Sequence, residues 1–271
     1  MPELPEVETA RRGIEPHLLG HAVTAVKVRD RRLRWPVPAA LIKMLPSQRI
    51  RAVTRRGKYL LLETAIGTVI LHLGMSGSLR ILPSDTPPEK HDHVDIVLDN
   101  GNALRLHDQR RFGSLLWTTR DPATHKLLRD LGPEPLDDGF DGNYLFGKSH
   151  RRNVAIKNFI MNSHIVVGVG NIYASESLFL AGIHPERAAG RISKERYIAL
   201  AISIRKVLSA AIGAGGTTLR DFVREDGAPG YFRQHLRVYD REGKPCERCK
   251  TPIVARVTGQ RATYYCPHCQ H

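Results

Sequence analysis

The stretch "HVDIVLDNGNALRLHD" (residues 93–108) decides the fold class of the first half of the chain. Val94, Ile96 and Leu98 alternate with other residues, Asn100-Gly101 interrupts, and the pattern resumes at Leu104 and Leu106. A period of two marks a strand with one buried face, and Asn-Gly between two such runs is the strongest short signal for a hairpin. Antiparallel pairing follows from the tight turn. Working outward, "VTAVKV" (23–28), "KYLLLET" (58–64), "GTVILHL" (67–73) and "SLRIL" (78–82) are short apolar runs bounded by Gly, Pro or charge. Residues 21 to about 118 therefore read as an antiparallel sandwich or barrel.

Ahead of these strands, Val7, Ala10, Ile14 and Leu18 recur at helical spacing. Pro5 suits a first helical turn, Glu6 and Glu8 sit at the positive end of the helix dipole, and Gly20 marks the stop. Beyond the strands, "LGPEPLDDGFDG" (131–142) is a Pro/Gly/Asp-rich boundary. Helical patterns then cover 155–163, 170–182 and 193–216, the last with Ala201, Ile204, Leu208 and Ala211 on one face. The fold class is α+β: an N-terminal helix and β-sandwich in residues 1–134, a helical domain in 135–235 and a small cysteine-built unit in 236–271.

Lys and Arg total 41 against 27 Asp and Glu, a formal charge of +14. A globular chain this basic is expected to meet a polyanion, and nucleic acid is the favoured one. No apolar run approaches the ~20 residues of a membrane span. The acidic N-terminus lacks the apolar core of a signal peptide. A soluble intracellular protein is the expectation.

All four cysteines fall at the end, as Cys246-x2-Cys249 and, sixteen residues on, Cys266-x2-Cys269. Two such pairs supply four thiolates for a tetrahedral zinc, and a closed four-sulfur site is structural because no position is left for substrate. Disulfides do not suit a reducing compartment. The segment between the pairs reads as two strands around "TGQ", a hairpin that carries Arg256 and Arg261.

Other motifs are weaker alone. In "VVGVGNIYASE" (166–176) a helix begins near Asn171, which suits either phosphate binding or close glycine packing. In "HDQRRFGSLLW" (107–117) an Arg–aromatic pair on a turn could enter a duplex or be a solvated turn with a core Phe. Met75 lies between glycines in "HLGMSGSL", and Lys58 precedes an apolar strand in "RRGKYLLLE". In "KHDHVD" (90–95) alternation would set His91, His93 and Asp95 on one strand face, where a metal is imaginable but polar strand-edge residues are favoured.

Taken in order, "PELPEVET" (2–9), "GMSGSLR" (74–80), "RRFG" (110–113), "GVGNIYASE" (168–176) and the terminal cysteine pairs make the chain closely resemble the formamidopyrimidine-DNA glycosylases, over essentially its whole length. One departure is Gln109, where that family often has proline. The resemblance implies a helix–two-turns–helix motif in the middle domain and excision of oxidised purines such as 8-oxoguanine and formamidopyrimidines from double-stranded DNA. It also implies strand cleavage at the resulting abasic site by β,δ-elimination.

By the same resemblance, Pro2, Glu3, Lys58 and Arg261 are catalytic and Glu6 supports them. His91, Arg110, Lys157 and Asn171 bind DNA, while Met75, Arg110 and Phe112 fill the void left by an everted nucleotide. Thr217, Thr218 and Tyr231, in "GGTTLRDFVREDGAPGYF" (215–232), are candidates for base contacts. One structural zinc per chain, no organic cofactor, a monomer and a cytoplasmic, nucleoid-associated bacterial location complete the expectation. The nucleophile would be the Pro2 amine, which is an amide while Met1 remains attached, so Met1 must be removed first. Two rivals are a non-catalytic DNA-binding protein with a zinc ribbon and endonuclease VIII, the relative that prefers oxidised pyrimidines.

Overall fold

Helix α1 (Leu4–Leu18) starts where Pro5 fixes the backbone in the first turn and turns Val7, Ile14 and Leu18 into the core. The computed structural model describes residues 2–216 and 236–271. Two units emerge, one of residues 2–129 with Gly215 and Gly216, the other of 130–214 and 236–271.

In the first unit α1 leads into strand β1 (Val23–Val28) and a short helix α2 (Ala39–Met44). Seven more strands follow: β2 (Ala52–Arg56), β3 (Tyr59–Glu63), β4 (Thr68–His72), β5 (Gly77–Pro83), β6 (Asp92–Leu98), β7 (Asn102–Asp108) and β8 (Ser114–Thr118). They form two antiparallel four-stranded sheets, ordered β1-β6-β7-β5 and β2-β3-β4-β8. Side chains of both sheets share one core, in which Leu60, Leu62, Val69 and Leu71 meet Ile96, Leu98, Leu104 and Leu106. Helix α1 packs on β2, β3 and β5, and so touches both sheets. The Asn100-Gly101 hairpin is present, with Gly101 at φ 81°.

Strand β6 departs from simple alternation: every residue of it is buried. The reason is a cluster of ions on its polar face. Asp95 accepts from Arg29 and from Arg105, itself 1% exposed, while Asp92 accepts from Arg80, Arg105 and His107. Burial works against both carboxylates, yet the hydrogen bonds and arginine charges outweigh it and hold both below the usual range.

The second unit holds α3 (Gly142–Ser149), α4 (Ile156–Met161), α5 (Asn171–Leu180) and α6 (Lys194–Gly213), then the hairpin β9 (Val254–Thr258) and β10 (Arg261–Tyr265). Helix α5 is central, with Ile172 to Phe179 all buried and α4, α6 and β10 packed on it. Ala201, Ile204, Leu208 and Ala211 of α6 are buried together, as their spacing requires. Phe179 of α5 joins Val238, Cys246, Ile253 and Cys266 in a small core, so the zinc unit is built onto this helix.

Candidate functional site

Pro2 is buried, and Glu3 and Glu6 are 3% and 1% exposed. They form a reciprocal cap at the start of α1. The Glu3 carboxylate accepts from the Glu6 N–H, and the Glu3 N–H donates to Glu6 Oε2 at 2.9 Å. The cap reading and the catalytic reading of these glutamates thus use one geometry: the helix fixes both carboxylates beside Pro2. Gly216, at φ 81°, lies against the Glu6 side chain.

Lys58 occupies a two-residue turn with Gly57, closed by the Arg56–Tyr59 pair. That turn is braced to α1. Arg55 donates to the Gly57 carbonyl at 2.9 Å and to the Glu8 carboxylate at 3.1 Å. Burial disfavours the charged Glu8, but hydrogen bonds from Arg11, Arg12 and Arg55 prevail and hold its carboxyl below the ordinary value.

His72, missed in the sequence, stands opposite Tyr59 with ring centroids 4.7 Å apart. Its Nδ1 accepts the Gly74 N–H at 2.9 Å. Burial first, then the charges of Lys58 and Arg34, bring it down to about 4, so it is neutral at pH 7.

Two loops meet nearby on the same unit. A Cβ at Gly74 (φ 66°) would collide with the backbone of Phe112 and Gly113, so only glycine lets them come so close. Asp108, fully buried, organises both: its carboxylate accepts from Ser76 Oγ at 2.7 Å and from the Gly113 N–H at 2.7 Å. Ser76 Oγ in turn accepts the Arg110 N–H at 3.1 Å. Arg111 turns away to Asp30 at 2.8 Å. Arg110 instead lies 5.0 Å over the ring of Phe112, which is 45% exposed. Met75 is half-buried on the adjoining loop. The three residues expected to fill a void are therefore carried on joined loops, and Asp108 is a residue that their motifs did not reveal.

His91 interrupts the alternation expected around it. It precedes β6 at φ 77°, and a register shift between Asp92 and Val94 breaks the alternation. His91 and His93 approach edge-on at 6.3 Å, and Asp95 is committed to arginines, so the three share no metal-binding face. Partial burial, Lys90, His107, His93 and Arg111 hold His91 below the ordinary histidine value.

In the second unit Asn171 opens α5, and its Nδ2 donates to the Ala262 carbonyl at 3.0 Å. Arg261 is exposed at the start of β10, behind a Gly259-Gln260 turn in which both residues have positive φ. Lys157, expected to bind DNA, points inward. It is fully buried, and its Nζ donates to Ala262 O and Thr263 Oγ1, each at 2.8 Å. The exposed "RRN" before α4 gave no hint that the lysine points inward. Glu176, one and a half turns beyond Asn171, was also unassigned. It is fully buried and accepts the N–H groups of Arg237, Val238 and Tyr239 at 2.9 to 3.1 Å. Burial raises its carboxyl above the usual value against those three donors. Thr217, Thr218 and Tyr231 lie outside the described residues.

The four cysteine sulfurs lie within 4.8 Å of one another, with Cys246–Cys269 at 3.9 Å and Cys249–Cys266 at 3.5 Å. A tetrahedral zinc with sulfur ligands needs sulfurs about 3.8 Å apart. Donor type, number and spacing fit one structural zinc, and no other cluster of metal ligands occurs among the described residues. Gln270 ties this unit to the helices by donating to the Ile183 carbonyl at 2.9 Å.

Comparison with known proteins matches three family models along the chain. They are the formamidopyrimidine-DNA glycosylase N-terminal domain at residues 1–115, the H2TH domain of the same proteins at 131–223, and a zinc finger found in FPG and IleRS at 243–271. Proteins named formamidopyrimidine-DNA glycosylase from Methylococcus capsulatus and Thioalkalivibrio sulfidiphilus are 61% and 60% identical, each over all of both chains. Among solved structures, that of the Thermus thermophilus protein has a TM-score of 0.89 at 37% identity, covering 99% of this chain and 98% of that one. The Lactococcus lactis protein with DNA containing Fapy-dG gives 0.91 at 33%, covering 99% and 100%.

Proposed function

The chain belongs to the formamidopyrimidine-DNA glycosylase family, and on that premise we propose how its residues carry out the repair chemistry. The protein is a base-excision glycosylase for oxidised purines in DNA, and abasic-site lyase activity is typical of the family. The buried Pro2–Glu3–Glu6 cap is the observation that carries the proposal.

With Met1 removed, the Pro2 secondary amine attacks the anomeric carbon of the damaged nucleotide and the base departs. An α-amine has a pKa of about 7.7–8.0 against about 10.4 for lysine, so more of it is neutral at physiological pH. The sugar ring opens to an iminium ion. Glu3 shuttles protons at the ring oxygen and the leaving groups, and Glu6 orients Glu3. The iminium acidifies the adjacent carbon, and elimination of the two flanking phosphates follows. Lys58, Asn171 and Arg261 grip the backbone phosphates, with His91 and Arg110 as further DNA contacts. Met75, Arg110 and Phe112 occupy the space vacated by the everted base, whose extrusion costs a few kcal/mol. The cysteines hold one structural zinc. The protein acts as a monomer in the bacterial cytoplasm at the nucleoid; sedimentation of the DNA complex checks the first point and cell fractionation the second.

Borohydride trapping on a duplex containing 8-oxoguanine tests the chemistry, with intact mass confirming removal of Met1. The processed protein is expected to yield a covalent adduct, and the form retaining Met1 none. Absence of an adduct from the processed protein would sink the assignment of Pro2.

A further inference from the structure

Two residues read as phosphate ligands converge on one buried lysine. Lys157 Nζ donates to the Ala262 carbonyl, and Asn171 Nδ2 donates to that same oxygen. Lys157 also donates to Thr263 Oγ1, and that hydroxyl donates at 3.2 Å to the carbonyl of Arg261. Lys157 and Thr263 are both fully buried, and Asn171 Oδ1 is buried with no partner among the described residues. An ammonium is costly to bury, so its placement at the junction of these two ligands calls for a role.

We propose that Lys157 is a positioning residue for DNA binding, which keeps Ala262 paired so that the Asn171 amide can leave it for a phosphate while Arg261 stays in register. A carbonyl has two lone pairs and accepts both donors at once. A charged phosphate is a stronger acceptor than a carbonyl. When Asn171 turns to it, Ala262 O keeps the buried Lys157 ammonium as its partner, and the backbone next to Arg261 keeps its anchor. The branch through Thr263 fixes the backbone that carries Arg261. This inference rests on reading Asn171 and Arg261 as phosphate ligands.

The test is anisotropy titration of a duplex bearing a tetrahydrofuran abasic analogue, across a salt series. A direct phosphate contact contributes about 0.9 to the slope of log affinity against log salt. Arg261→Ala is expected to lose that amount, while Asn171→Ala, which removes a neutral donor, is expected to weaken binding several-fold with the slope unchanged. Lys157→Met is expected to bind about tenfold more weakly with the wild-type slope, and Lys157→Met combined with Asn171→Ala to bind no more than about twofold below Asn171→Ala alone. Zinc content and melting temperature confirm the fold. Should Lys157→Met fail that check, Thr263→Val replaces it and is expected to weaken binding several-fold at unchanged slope. A lowered slope in Lys157→Met, an additive double variant or undiminished binding overturns the proposal alone. If Arg261→Ala keeps the wild-type slope and Asn171→Ala keeps the wild-type affinity, the phosphate reading beneath it falls.

Discussion

His72 and Asp108 hold groups of neighbouring loops, the Gly74 and Gly113 N–H groups and the Ser76 hydroxyl, and no motif pointed to them. His72 is held neutral, at about 4, by burial and by nearby Lys58 and Arg34. Its value in the unfolded chain is about 6.5. The unfolded state therefore binds more protons between those values, and stability must fall as pH drops from about 6.5 towards 4. Melting temperatures across that range should decline by several degrees, and His72→Gln should flatten the decline. Asp108 joins the loop of Met75 to the loop of Phe112 through Ser76 and Gly113. Asp108→Ala leaves those donors unpaired, and a cost of about 1–3 kcal/mol is expected. Duplex containing 8-oxoguanine should also be cleaved at least tenfold more slowly, while abasic DNA, which needs no base everted, suffers less. Equal losses on both substrates would show that the link serves folding alone.

Among the elements, the hairpin β6–β7 and the helices α1, α5 and α6 were readable because each carries a sustained apolar pattern and a recognisable stop. Strand β2 was not, since "AVTRR" shows one buried residue, Val53, among partly buried ones. Helix α3 was hidden by the glycines of "GNYLFGKS", and Asp141, whose side chain caps it, lay inside a stretch that read as a boundary. The polar face of β6 was misjudged for a different reason: alternation tells which residues are apolar, not whether the others find ionic partners inside. Those partners set a prediction. Asp95→Ala leaves Arg105 buried without its main counter-charge, and a loss of about 3–5 kcal/mol in urea unfolding is expected. Asp95→Asn, which keeps the shape but not the charge, should fall between the two.

For the molecule as a whole, the zinc ligands were fully legible because spacing alone specifies them, and their sulfurs do converge. Lys157 was not, because burial of a long cationic side chain depends on acceptors more than a hundred residues away in sequence. The zinc core also includes Phe179 of α5, so metal loss should spread into the helical unit. Chelation or Cys249→Ser is expected to reduce affinity for abasic DNA at least a hundredfold. The near-ultraviolet signal of Trp35 and Trp117, both in the first unit, should stay unchanged. The burial of Pro2 and Glu3 has a practical side for anyone producing this protein. A purification tag or fusion partner placed ahead of Pro2 converts its amine to an amide and must thread out of a closed helix start. On the proposed chemistry such material is expected to be chemically inert, so a negative assay on it says nothing about the enzyme.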